Sequence, residues 1–377
     1  MTSQASQHPE TGKGGFKITS TGWIAQRDPS ALLPIAAGSR CALAPDGTLV
    51  CSYMIQSALG INDFIPMISR SSDGGATWQE QGAIWPRISS TFSIFCSISR
   101  SPAGELFLFG IRTPIDTPGE TFWNETTQGL KQNELIWAKS LDGGRTWAEP
   151  TVIPMGSNGS AEAPGAMCIT RSGRWIACYS PYNTFDPAVV VKRDRVMVVF
   201  SDDQGRTWQH AEMLNFKDPD SGSAESWVIE LADGRLLGAG WRMNHRDGSD
   251  FPNPYALSPD GGTTWYPTQS TGIRGQSIAL APLPDGRALM VYNQRKHGDI
   301  GVWLAILEVG ESGLKIPANQ IIWQAAKPVQ RGASAEHSEW QDFAFGEPSL
   351  TLLQDGSVLV TLWCIQPDGQ GIRYVKL

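Results

Sequence analysis

Metal-ligating and membrane-seeking features are scarce in this 377-residue chain. Its six cysteines (Cys41, Cys51, Cys96, Cys168, Cys178 and Cys364) include no Cys-x-x-Cys pair. All six fall in apolar runs expected to be strands, where reduced thiols behave as small hydrophobes. That usage fits a cytoplasmic chain. His245 and His297 stand in expected loops with no partner at metal-ligand spacing. No metal and no organic cofactor is therefore implied. There is no run of about 18 apolar residues to cross a membrane, and no secretory hydrophobic stretch near the start. A Gly-rich phosphate loop and a Gly-x-Ser-x-Gly elbow are also missing. The net charge of −7 argues against a nucleic-acid partner but permits an anionic sugar held by a local arginine cluster. No Pro/Ser linker or charge block divides the chain. Residues 1–14 are expected to be a mobile tail, and residues 15–377 one domain.

What the chain does have is repetition. Four copies of one motif occur: Ser71-x-Asp73-x-Gly75-x-Thr77-Trp78, Ser140 to Trp147, Ser201 to Trp208 and Ser258 to Trp265. Their tryptophans lie 69, 61 and 57 residues apart. Asp and Ser side chains hold a tight turn by bonding nearby backbone, and Gly supplies positive φ. A second repeat sets the number of units. Apolar runs joined by a turn recur around Gly47, Gly104, Gly173, Gly234, Gly286 and Gly356. Each reads as a hairpin. A third strand, the motif turn and a fourth strand follow, so the fold class is all-β: a six-bladed β-propeller of four-stranded antiparallel sheets. The fifth unit keeps only the remnant Glu311-Ser312-Gly313. The sixth runs out of chain at Leu377, and its missing strand is expected from Phe16–Trp23, which removes an open edge.

The motif is the Asp-box, or BNR repeat. With the six-fold period, the chain from Phe16 onward resembles the sialidase (neuraminidase) superfamily. The resemblance implies that the boxes are structural and lie at blade rims. It also implies a site with three arginines on the substrate carboxylate, a Tyr nucleophile activated by a Glu, and an Asp acid/base.

Residue by residue, Glu225 opens the fourth blade's inner strand, where the family places its Glu. Arg242 follows by 17 residues and matches the second arginine, with Arg246 as a rival; Arg40, in the first inner strand, matches the first in part. A guanidinium matches a carboxylate bidentately. Asp63, ahead of the first box, matches the acid/base Asp or forms an Asx turn. Arg295 stands where the family often carries its third arginine, and Arg274 and Arg331 are left open for that place. Glu347 stands where the nucleophilic Tyr belongs. It is either a catalytic carboxylate beside Glu225 or a structural counter-charge. Trp123, Trp227 and Trp340 are candidates for sugar stacking, or core residues.

The expectation is a sialidase-like glycoside hydrolase acting on a small carboxylated sugar. The alternatives are a lyase of uronate glycosides and a non-catalytic propeller that binds a glycan or a protein. The oligomeric state is left open.

Overall fold

The computed structural model describes residues 15–163, 165–310, 313–329 and 339–377. The expected tail over residues 1–14, Glu311 and Ser312 of the fifth-unit remnant, and Arg331 lie outside them, as does the side chain of Trp340.

Six four-stranded antiparallel sheets follow one another. Their inner strands are Ile35–Leu43, Phe92–Arg100, the interrupted pair Ser160–Glu162 and Cys168–Ile169, Ser221–Glu230, Gln276–Pro282 and Phe345–Leu352. We number the blades 1 to 6 in that order. Inner strands of neighbouring blades pack side by side around the ring, blade 6 against blade 1 included. Apolar residues of successive blades form continuous clusters between them. All six cysteines are free. Among the described residues no helix is long and apolar enough to cross a membrane.

The ring closes through the N-terminal segment, but further along than Phe16–Trp23. Ser20–Arg27 pairs antiparallel with Gly369–Lys376 as the outermost strand of blade 6. Phe16 instead exchanges hydrogen bonds with the Gln320 amide of blade 5. Ile24 and Ala25 are buried in the new strand, so burial of these two residues sets the register.

Each Asp-box joins the third and fourth strands of its blade. In blade 1, Ser71 Oγ donates to Asp73 at 2.7 Å and accepts from Gly75 N at 2.9 Å. The other Asp73 oxygen takes the Thr77 hydroxyl at 2.6 Å. The other three boxes repeat these bonds. The box glycine has φ between 80° and 94° in all four and packs close to the preceding blade, as Gly262 does against Ile176. Only glycine combines that φ with so close an approach.

The inner strands carry a feature that positions the site. Four of them contain a β-bulge, between Ala37/Arg40, Ala224/Trp227, Gln276/Ile278 and Gly346/Ser349. The bulge residues Gly38, Glu225, Ser277 and Glu347 all have left-handed φ, at 64°, 52°, 53° and 44°. Non-glycine residues rarely take this conformation, and those that do cluster at functional sites. A bulge re-aims its side chain out of the regular alternation. Here two of the four bulge residues are glutamates.

Candidate active site

Glu225 and Glu347 both line a cavity of about 490 Å³. Inner-strand residues of blades 1, 2, 3, 4 and 6 contribute to its wall, among them Ala37, Ser93 and Glu162. The volume is that of a small-ligand site. One side is formed by the insertion in blade 2 that carries the short hairpin Trp123–Asn124 and Gly129–Leu130. Thr121 of this insertion bridges Ile61 of blade 1, and Gly129 bridges Asn183 of blade 3.

Arg40 is the centre of the buried charge cluster. It is only 2% exposed. Its Nη1 donates to the carbonyls of Ser39 and Glu347, at 2.8 and 3.0 Å. Its guanidinium lies over the Trp227 ring of blade 4, 5.2 Å from the centroid. Burial lowers its pKa, opposed by the charges of Glu347 and Glu225. A guanidinium nonetheless stays protonated in a protein.

Three carboxyl groups surround it. Burial is the main cause that raises the pKa of each. For Glu225 the value is pushed up to about 7, with the Glu347 charge adding to burial and Arg295 and Arg40 opposing it. Glu347 is raised by burial against the pull of Arg40, the Gly38 N–H and Arg295. Glu162 is raised well above the ordinary range by burial and by Glu225. Its two oxygens accept the Glu225 backbone N–H, at 3.0 Å each. Buried carboxylic acids that hold protons near neutrality are suited to general acid–base catalysis.

Arg295 also joins the group. It is 7% exposed, donates through Nε and Nη2 to the Phe345 carbonyl, and stacks on Phe343 at 3.7 Å. Thus Arg40, Arg295, Glu225 and Glu347 come together. Arg242 and Asp63 do not join them. Arg242 is bound to Ser221 and Asp218 and lies between the Phe216 and Phe251 rings. Its neighbours Trp241 and Met243 line the cavity instead, as strand alternation requires. Arg246, the rival, is on the wall, where it pairs with Asp220. At the other position, Asn62 and Phe64 line the cavity, while the Asp63 carboxylate accepts the Ser57 N–H. Of the stacking candidates, Trp123 is on the wall and Trp227 is buried beneath Arg40.

The family model described as BNR repeat-like domain matches residues 97–360. This chain belongs to that family. It sits within the sialidase-like superfamily of BNR propellers. A sialidase of Micromonospora viridifaciens is 29% identical over 60% of this chain, which spans 35% of that protein's length. Among solved structures, a protein of unknown function from Dyadobacter fermentans superposes with a TM-score of 0.70 at 18% identity, covering 96% of this chain and 98% of the other. An α-L-arabinanase of Penicillium chrysogenum, complexed with arabinobiose, gives a TM-score of 0.64 at 15% identity, covering 96% of this chain and 98% of the other. At these identities the structural likeness establishes the fold. What this BNR repeat-like protein does must come from its own site.

Two site residues escaped the sequence reading. Glu162 sits at the end of the interrupted inner strand of blade 3, where the local sequence Ala163-Pro164-Gly165 breaks the strand pattern. Trp241 was passed over for its neighbour Arg242. A usable signal existed for the bulges: Gly38, Glu225, Ser277 and Glu347 each stand nine residues before their turn glycine.

Proposed function

We propose that this BNR repeat-like protein is a glycoside hydrolase that works through carboxyl groups, not through a phenol. One observation carries this reading: Glu162, Glu225 and Glu347 converge from three blades on Arg40 beside a cavity sized for a sugar. Paired carboxyl groups are the usual equipment of glycoside hydrolysis.

The roles follow from the surroundings. Glu225, whose proton is held up to about pH 7, is the general acid. It gives its proton to the glycosidic oxygen as the bond to the anomeric carbon breaks, and the bonding electrons stay on that oxygen. Glu347, beside Arg40 and Arg295, is favoured as the anion. It either bonds to the anomeric carbon itself or takes a proton from the water that does. Glu162 accepts the Glu225 backbone N–H and so holds the bulge that presents the Glu225 side chain.

Hydrolysis is tested by incubating the protein with a panel of glycosides and analysing the products. Free sugar, lost on Glu225→Gln and on Glu347→Gln, is the expected outcome. An unsaturated product absorbing in the ultraviolet would show a lyase instead. Binding without turnover would show a lectin-like propeller.

A further inference from the structure

We infer that the sugar ring bound in this cavity is uncharged and that it stacks on Trp241, which Asp250 holds in place. The inference rests on the hydrolase reading and adds the substrate class to it.

The first observation is electrostatic. Three carboxyl groups already face the cavity: Glu162, Glu225 and Glu347. The described cations of the wall are all engaged. Lys131 pairs with Asp116 and Glu120. Arg246 pairs with Asp220 at 2.7 Å. Lys296 reaches the Gly248 carbonyl. Arg295 is bound to the Phe345 carbonyl, and Arg40 behind the wall to two carbonyls. A ligand carboxylate would have to displace a carbonyl or carboxylate partner from each cation, and it would place a second anion beside Glu347. Like charges brought together in a poorly hydrated site repel strongly. An uncharged ring meets no such cost.

The second observation is the geometry of Trp241. Its indole Nε1 donates to Asp250 Oδ1 at 2.9 Å. The Asp250 side chain is fully buried. Its Oδ2 accepts from Gln276 Nε2 and meets His297 Nε2, both at 3.1 Å. Three donors therefore fix this carboxylate, and the carboxylate fixes the indole. Trp241 packs on the apolar cluster that includes Ala37, Phe343 and Trp363, yet it keeps part of its surface on the cavity wall. A rigid aromatic ring with its polar edge satisfied offers an apolar face at little entropic cost. The C–H face of a sugar ring is the complementary surface. Asp250 touches no ligand here. It is a positioning residue.

The test is equilibrium binding by isothermal titration to the Glu225→Gln protein, in which hydrolysis is suppressed. Probes are arabinobiose and other uncharged disaccharides on one side, and N-acetylneuraminic and glucuronic acids on the other. Trp241→Phe and Trp241→Ala are then added in that background. At least one uncharged probe should bind more tightly than both acids. Trp241→Ala should weaken it about tenfold, the scale of one aromatic contact, while Trp241→Phe keeps most of the affinity. Tighter binding of either acid would overturn the inference. So would an unchanged affinity in Trp241→Ala, or failure of every uncharged probe to bind. Turnover of the unsubstituted protein is measured separately. If it hydrolyses an acidic glycoside in preference, the substrate class is wrong and the hydrolase stands. If it hydrolyses none, the hydrolase falls.

Discussion

Glu225 donates its backbone N–H to both carboxylate oxygens of Glu162, at 3.0 Å each. The bond ties the bulge of blade 4 to the strand end in blade 3. Both carboxyl groups hold their protons tightly, first because they are buried, then for Glu162 through the Glu225 charge and for Glu225 through the Glu347 charge.

The pH dependence of stability follows directly. The ordinary carboxyl value is 4.5, and folding raises that of Glu225 to about 7. Between those values the folded protein keeps a proton that the unfolded chain has lost, so stability falls as pH rises across the window. Glu225→Gln removes this dependence. Its melting temperature should exceed that of the wild type at pH 8 and approach it near pH 4. A variant less stable than the wild type at pH 8 would show that the ionised Glu225 is held favourably.

Turnover should report the same group, and it too should fall as pH rises. A general acid must be protonated, so kcat/KM should fall as pH rises above about 7. The alkaline limb should be absent from Glu225→Gln, whose residual rate is lower by about a hundredfold to ten-thousandfold. Glycosides with a good leaving group should lose less, because their departure needs little protonation.

The two arginines expected together should separate by mutation. Arg40→Met removes the cation at the centre of three carboxyl groups and should cost on the order of 3 kcal/mol or more of stability, as breaking buried ion pairs does. Arg242→Met touches a half-buried pair with Asp218 outside the cavity. It should cost no more than about 1 kcal/mol and leave kcat/KM unchanged. Chemical denaturation and kinetics on both variants check this. A large loss of kcat/KM in Arg242→Met would return that residue to the site.

The Asp-boxes predict a different acid response. In Asp203 the Thr207 hydroxyl, then the Thr207 N–H, hold the carboxylate down to about 2. A depressed value contributes stability above the ordinary 3.8 and loses it as pH falls toward 2. Asp203→Asn should therefore lower the melting temperature at pH 7, and the gap should narrow toward pH 2. Activity at pH 7 and permissive temperature should be unaffected.

The propeller was readable because its signals are local. Asp-boxes and turn glycines carry their structure within a few residues, and their period counts the blades. Closure was readable as a need, but the pairing of Ser20–Arg27 depends on burial at Ile24 and Ala25, which no local motif marks. The site was harder for a geometric reason. Trp241 and Arg242 are adjacent on one strand, and one step of alternation sends one into the cavity and the other to Asp218. The bulge at Glu225 decides which pair faces inward: Trp241 sits opposite Ala224, and Arg242 opposite Ser223. Register of this kind is set by tertiary packing. Glu225 and Glu347 were visible because their segments resemble the family's fourth- and sixth-blade strand starts, and both also keep a nine-residue offset from a turn glycine. Glu162 does not, because its strand is broken before its turn.

Hydrolysis through Glu225 and Glu347 is tested most directly by comparing the wild type, Glu225→Gln and Glu347→Gln on one panel of uncharged and acidic disaccharides, with melting temperatures recorded alongside. The expected result is free monosaccharide from at least one uncharged disaccharide, a loss of about a hundredfold or more in kcat for each variant, and folded protein throughout. Full turnover in either variant would contradict the assigned roles, and an unsaturated product or no product from any disaccharide would contradict hydrolysis itself.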